Sequence, residues 1–174
     1  MKLIKGLFTK KQQTVSKSKI VLKVDVSHPL NKQVLEYLDR SSAKYKPLIN
    51  YPYEVKDPYN NQGSHPEIVE RVWDDINSKL PKDCRCLIYG TPALVHSDTG
   101  IILAICCGTA YCIRLSITSL KAAQEAGMQT YTKWTYGGDM DTKRDLGADW
   151  VFGGWKRQEI DWCNTVYKEL ENLT

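Results

Sequence analysis

Chemistry in this chain would have to come from its six cysteines, its three histidines and one acidic cluster. Cys84-Arg-Cys86 in a strand would put two sulfurs on one face, whereas adjacent Cys106 and Cys107 would point to opposite faces, so these thiolates do not converge on one tetrahedral zinc. There is no Cys-x-x-Cys knuckle and no paired histidine, and the pattern reads as buried thiols with no metal and no cofactor. A nucleophilic thiol at Cys106 or Cys107, with His96 or His65 as its base, is the catalytic alternative. Those cysteines lie among Ile102, Ala104 and Ile105, not in the electropositive, partly exposed setting that activates a thiolate. Asp139, Asp141 and Asp145 could hold a divalent cation through oxygen ligands. An EF-hand loop fails there because Lys143 and Arg144 stand where an acid and a glycine are required, and a solvated turn in which carboxylates meet those cations is the plainer reading. Neither a phosphate loop nor a G-x-G-x-x-G turn is present.

Binding chemistry is better represented. Between Tyr131 and Trp162 the chain interleaves aromatic and basic residues. Trp150 and Phe152 read as core, and Trp134, Tyr136, Lys143, Arg144, Trp155, Lys156 and Arg157 form the candidate surface. Such a surface anchors a protein partner or, alternatively, stacks bases and holds phosphates.

Charge divides the chain. Residues 1–60 hold 12 Lys/Arg against 5 Asp/Glu, and residues 61–174 hold 12 against 15. The first 24 residues contain seven lysines and no acid, so nucleic acid is a possible partner of a basic arm that otherwise reads as a solvated lead-in. No apolar run approaches the ~20 residues that span a bilayer, and the start lacks the pattern of a secretory leader. With cysteines placed in apolar segments, a cytoplasmic protein with no membrane partner is expected.

The elements that must position these residues follow from periodicity. Alternation over Ile20–Val26 predicts a strand, and Leu30, Val34, Leu35 and Leu38 predict a helix over 29–41 started by a Ser or His cap. Proline, tyrosine and asparagine make residues 45–63 a connector. Ser64 and Glu67 form a capping box for a helix whose apolar stripe is Ile68, Val69, Val72, Trp73, Ile76 and Leu80, with Glu70, Arg71, Asp74 and Asp75 facing away. Strands are predicted over 84–89, 93–96, 101–107 and 110–115, with a turn at Ser97–Gly100 and a hairpin at Gly108-Thr109. A helix over 117–126, a short strand at 150–152 and a final helix bearing Ile160, Cys163, Val166, Tyr167, Leu170 and Leu173 complete the order. The expectation is an α+β fold: an antiparallel β-meander packed against helices, with a basic N-terminal extension. Its divisions are a flexible lead-in over 1–19, a strand-helix extension and connector over 20–63, and a main domain over 64–174.

The hairpin from Tyr89-Gly90-Thr91-Pro92 through Ile101–Cys107 to Tyr111–Leu115, followed by a helix, a Met/Gly loop and a closing helix, resembles the TfoX N-terminal and YjbR-like small α+β domains over residues 64–172. The resemblance lies in element order and implies DNA-linked regulation, but no functional residue of this chain maps onto it. The function expected from the residues themselves is a non-catalytic interaction module that binds a protein partner through the aromatic-basic surface. The alternatives are a nucleic-acid-associated regulatory protein and a small cysteine- or metal-dependent enzyme.

Overall fold

A computed structural model describes residues 23–41, 64–130 and 146–173. Its centre is a five-stranded antiparallel meander in the order β1 (Arg85–Ile88), β2 (Thr91–Val95), β3 (Ile102–Cys107), β4 (Ala110–Arg114) and β5 (Trp150–Phe152). The fold is α+β as expected. Tyr89 and Gly90 both take positive φ, +48° and +76°, and so form the tight two-residue turn that matches strand twist between β1 and β2. Gly108, at φ +68°, opens the β3–β4 hairpin.

The strands read as nearly continuous apolar runs because both faces of the sheet are covered. On the first face a single helical stretch, α2, runs from Pro66 to Lys79, and α3 (Ile117–Glu125) and α4 (Gln158–Glu171) pack with it over Leu87, Leu94, Leu103, Tyr111, Ile113 and Val151. On the second face α1 (Lys32–Ser41) contributes Val34, Leu35 and Leu38 against Cys86, Ala93, Ile105, Cys112 and Trp150. Leu94 pairs with Ala104 and Val95 with Ile102, so Leu103 is an extra residue on β3. That bulge is why Leu103 and Ala104, adjacent in sequence, both face the first cluster.

Residues 23–26 are a bend and a turn, not the expected strand, and residues 20–22 lie outside the described part. Instead of a ladder, the segment is held by one backbone bond, from Asp25 N to Gly100 O at 3.0 Å, and by side-chain bonds. Fully buried Asn31 donates to the carbonyls of Asp25 and Gly100, each at 2.8 Å, and accepts from Ile102 N at 2.9 Å. Gly100 sits at φ +68°, and a Cβ there would stand 2.5 Å from Asp25 N and Lys23 O, so only glycine allows this approach.

Both N-terminal helices are capped by histidine within a Ser-His-Pro triplet. His28 Nδ1 accepts from Leu30 N and His65 Nδ1 from Glu67 N, each with proline in the first turn. The cap at the second helix is therefore His65 and not Ser64. The same helix is also not α-helical throughout. Its α-helical part ends at Glu70, a π-helical segment covers Arg71–Asp75, and a 3-10 turn covers Ile76–Lys79. Widening the helix by one residue per turn brings Arg71, Val72 and Trp73, three consecutive residues, inside together. Arg71, expected on the outer face, is buried.

Candidate functional site

The π-helical turn aims Arg71 at the start of α4, where four parts of the chain meet. Arg71 Nη2 donates to Glu159 Oε2 at 2.9 Å and to the Lys156 carbonyl at 2.7 Å, Nε donates to Tyr111 Oη at 3.3 Å, and Nη1 pairs with Asp75 at 3.1 Å. The Tyr111 hydroxyl, on β4, donates to Glu159 Oε2 at 2.6 Å and accepts from Trp155 N at 2.9 Å. Gly154 N donates to the other Glu159 oxygen at 2.6 Å. Glu159 is fully buried, yet both of its oxygens are occupied by donors. Burial alone would depress the Arg71 charge, but its bonds to Tyr111, Glu159 and Asp75 outweigh burial and raise it. Burial, helped by the bond to Glu159, pushes the Tyr111 phenol well above its ordinary range, so it stays a neutral donor.

This network serves the backbone of one loop. Gly153 N donates to Tyr111 O at 2.8 Å, Gly154 and Trp155 are tied as above, and the carbonyl of Lys156 is held by Arg71. Trp155 is thereby fixed at φ +57°, a left-handed conformation that costs a residue with a Cβ about 1–2 kcal/mol. The residue is 55% exposed. The indole packs edge-on to Tyr111 with centroids 5.7 Å apart, and the Arg71 guanidinium lies 5.7 Å from its centre. Beside the loop is a cleft of about 340 Å³ lined by Gly127, Met128, Gln129, Phe152, Gly153, Gly154 and Lys156.

Of the candidate surface residues, the structure brings together Trp155, Lys156 and Arg157 at the loop. Trp134, Tyr136, Lys143 and Arg144 lie outside the described residues, as do Asp139, Asp141 and Asp145. Trp150 is fully buried and Phe152 partly so, as core. No group of three or more metal-binding side chains occurs among the described residues. No helix among them is long and apolar enough to cross a membrane.

His96 is not paired with Cys106 or Cys107. His96 is buried at the end of β2, where Nδ1 accepts from Asp98 N and Thr99 N, Nε2 donates to the Tyr167 carbonyl at 3.1 Å, and the ring stacks on Tyr167. Its own N–H bonds to Ile101 O, five residues before Cys106 and so roughly 15 Å along the strand. Cys106 and Cys107 do face opposite sides, one toward Ile68 O and the other toward Cys112 Sγ, 3.8 Å away. Cys84 and Cys86 do not share a face. Cys84 ends a 3-10 turn over Lys82–Cys84 and joins the first cluster, while Cys86 in β1 joins the second.

All six cysteines are free, and five are buried, with Cys107 the exception. Burial pushes the Cys84 thiol up to about 11 and the Cys163 thiol up to about 12, and raises Cys86, Cys106 and Cys112 as well. A maleimide reagent at neutral pH should therefore label Cys107 first, and the other five only on unfolding, as mass spectrometry of the native protein would reveal. Because these folded-state values lie above the unfolded value near 9, the fold should lose stability as pH rises from 9 through 11–12 and not below it. Urea denaturation at pH 8 and at pH 10.5 checks the sign.

Comparison with family models, curated proteins and solved structures finds no match to this chain.

Sequence patterning does not single out Arg71, Tyr111 and Glu159. One signal for Glu159 was present: it falls in helical register with Cys163, Val166 and Leu170, so it occupies a position of the apolar stripe. No comparable signal marks Arg71, whose burial depends on the π-helical turn.

Proposed function

We propose that the protein is a non-catalytic interaction module that binds a protein partner through the Trp155 loop. The supporting observation is an exposed tryptophan held in an unfavourable backbone conformation by a buried, fully satisfied network. Strain of this kind persists only where surrounding structure over-determines it, and it concentrates at ligand and partner sites. A rigid exposed indole is also the side chain most often found at the energetic centre of protein interfaces, since it loses little conformational freedom on burial. Catalysis is less well supported, because Glu159, Tyr111 and Arg71 spend their hydrogen-bonding capacity on one another and on the loop backbone. Nucleic acid is the second reading, since indole and cations could stack a base and hold a phosphate. The described residues carry 12 basic and 15 acidic side chains, which disfavours a polyanion.

Trp155→Gly separates anchor from scaffold. Glycine removes the left-handed penalty while the packing of the indole on Tyr111 and Arg71 is lost, and these terms are each about 1–2 kcal/mol. Stability should thus change by less than about 1 kcal/mol. Partner capture from native lysate should be lost for this variant and retained by the parent after nuclease treatment. Equal capture by both proteins would refute the reading, and nuclease sensitivity would favour nucleic acid.

A further inference from the structure

The loop that presents Trp155 also carries two adjacent cations, Lys156 and Arg157. Glu159 and Asp161, the acids in the first turn of α4, are engaged by Arg71 and Lys79, and Asp75 is engaged by Arg71. Lys156 and Arg157 make no ion pair among the described residues, as is also true of Lys32, Lys82, Lys121 and Lys168, but of these only Lys156 and Arg157 follow the exposed Trp155 directly. Among the described residues that line the cleft beside the loop, Lys156 carries the charge. Its side chain passes over Gly154, with Cε 3.5 Å from where a Cβ would stand. The described lining is thus a concave space with the Lys156 cation at its edge, and Trp155 and Arg157 flank Lys156 in sequence without being part of that lining.

Resting on the reading of Trp155 as an anchor, we infer that the partner presents an acidic segment, which places a carboxylate in the cleft at Lys156 and an adjacent apolar side chain against the Trp155 ring. Charge complementarity selects this occupant. A carboxylate gains an ion pair at Lys156 without displacing one made among the described residues, where Glu159 and Asp75 are engaged by Arg71 and Asp161 by Lys79. A basic segment would bring its cations to Lys156 and Arg157, where Glu159 and Asp161 are already engaged by Arg71 and Lys79. A nucleic acid would need a longer positive track than two side chains on a body with an acidic excess.

The test uses the full chain and three short capped peptides in which phenylalanine alternates with glutamate, glutamine or lysine, together with an oligothymidylate. Binding is followed by ¹⁵N-edited NMR at the Trp155 indole and the Gly153 and Gly154 amides. The glutamate peptide should bind at least about ten-fold more tightly than the glutamine peptide at low salt. Lys156→Gln should remove that margin, and Lys156→Glu should move the preference to the lysine peptide; both leave the Lys156 carbonyl for Arg71. Equal binding of the glutamate and glutamine peptides, abolished by Trp155→Gly, would overturn the acidic preference while the anchor stands. If no peptide shifts these resonances, or Trp155→Gly binds as well as the parent, both fall. Tighter binding of the oligothymidylate at the same resonances overturns the inference in favour of nucleic acid.

Discussion

Glu159→Ala is expected to destabilise the protein by about 3–5 kcal/mol, the range for removing one member of a buried ion pair and leaving the other charge uncompensated. Glu159 is fully buried and Arg71 nearly so, and the variant strands the guanidinium, the Tyr111 hydroxyl and the Gly154 N–H at one point. Glu159→Gln keeps the volume, but its amide group is a donor placed among donors. Whichever way the amide is turned, either Gly154 N–H or the Arg71–Tyr111 pair loses its acceptor, at a cost of about 1–3 kcal/mol. Urea denaturation followed by tryptophan fluorescence gives both values. Replacing Arg71 by methionine and Glu159 by leucine together should recover part of the loss, since apolar residues can substitute for a buried pair when both charges leave. A Glu159→Ala cost under about 1 kcal/mol would mean that the network does not hold the loop.

The second large effect is expected from one methyl group. A Cβ at Gly153 would lie 1.9, 2.0 and 2.4 Å from three atoms of the Tyr111 ring, well inside contact distance. Tyr111 can move aside only by giving up packing and bonds, since it is 1% exposed and bound through its hydroxyl to Glu159. Gly153→Ala should cost about 3 kcal/mol, at the upper end for overpacking, and lower Tm by roughly 6–12 °C for a chain of this size. It should also release Trp155, because the same movement of Tyr111 withdraws the acceptor from Trp155 N. Gly154→Ala is the control, since a Cβ there meets only ordinary contacts from 3.5 Å outward. In a Gly153→Ala background, Tyr111→Ala should cost much less than it does alone, and that non-additivity identifies the ring contact as the cause.

How much of this was legible in advance depended on how local each cause was. The meander could be read because β-branched runs and turn residues are neighbours in the chain, and Gly100 and Gly108 each take the positive φ that their turns demand. The final helix could be read from its apolar spacing, except that Glu159 holds an apolar-stripe position while Leu173, expected inside, is exposed. The candidate site was half legible. Trp155, Lys156 and Arg157 stood out as an aromatic-basic run, but nothing in the run shows that Trp155 is strained or what strains it.

The amino-acid sequence by itself determined the α+β class, the strand and helix order from Pro66 onward, the helix at 32–41 and the opposed faces of Cys106 and Cys107, because each rests on periods of two or 3.6 residues acting over a few turns. Only the tertiary structure decided which charged residues go inside. Arg71, Tyr111 and Glu159 are separated by 40 and 48 positions, and their burial is tolerable only as a set, each satisfying the others once a π-helical turn, the middle of β4 and the first turn of α4 converge. Read singly, Arg71 and Glu159 belong at the surface. Packed together, they hold a tryptophan there instead.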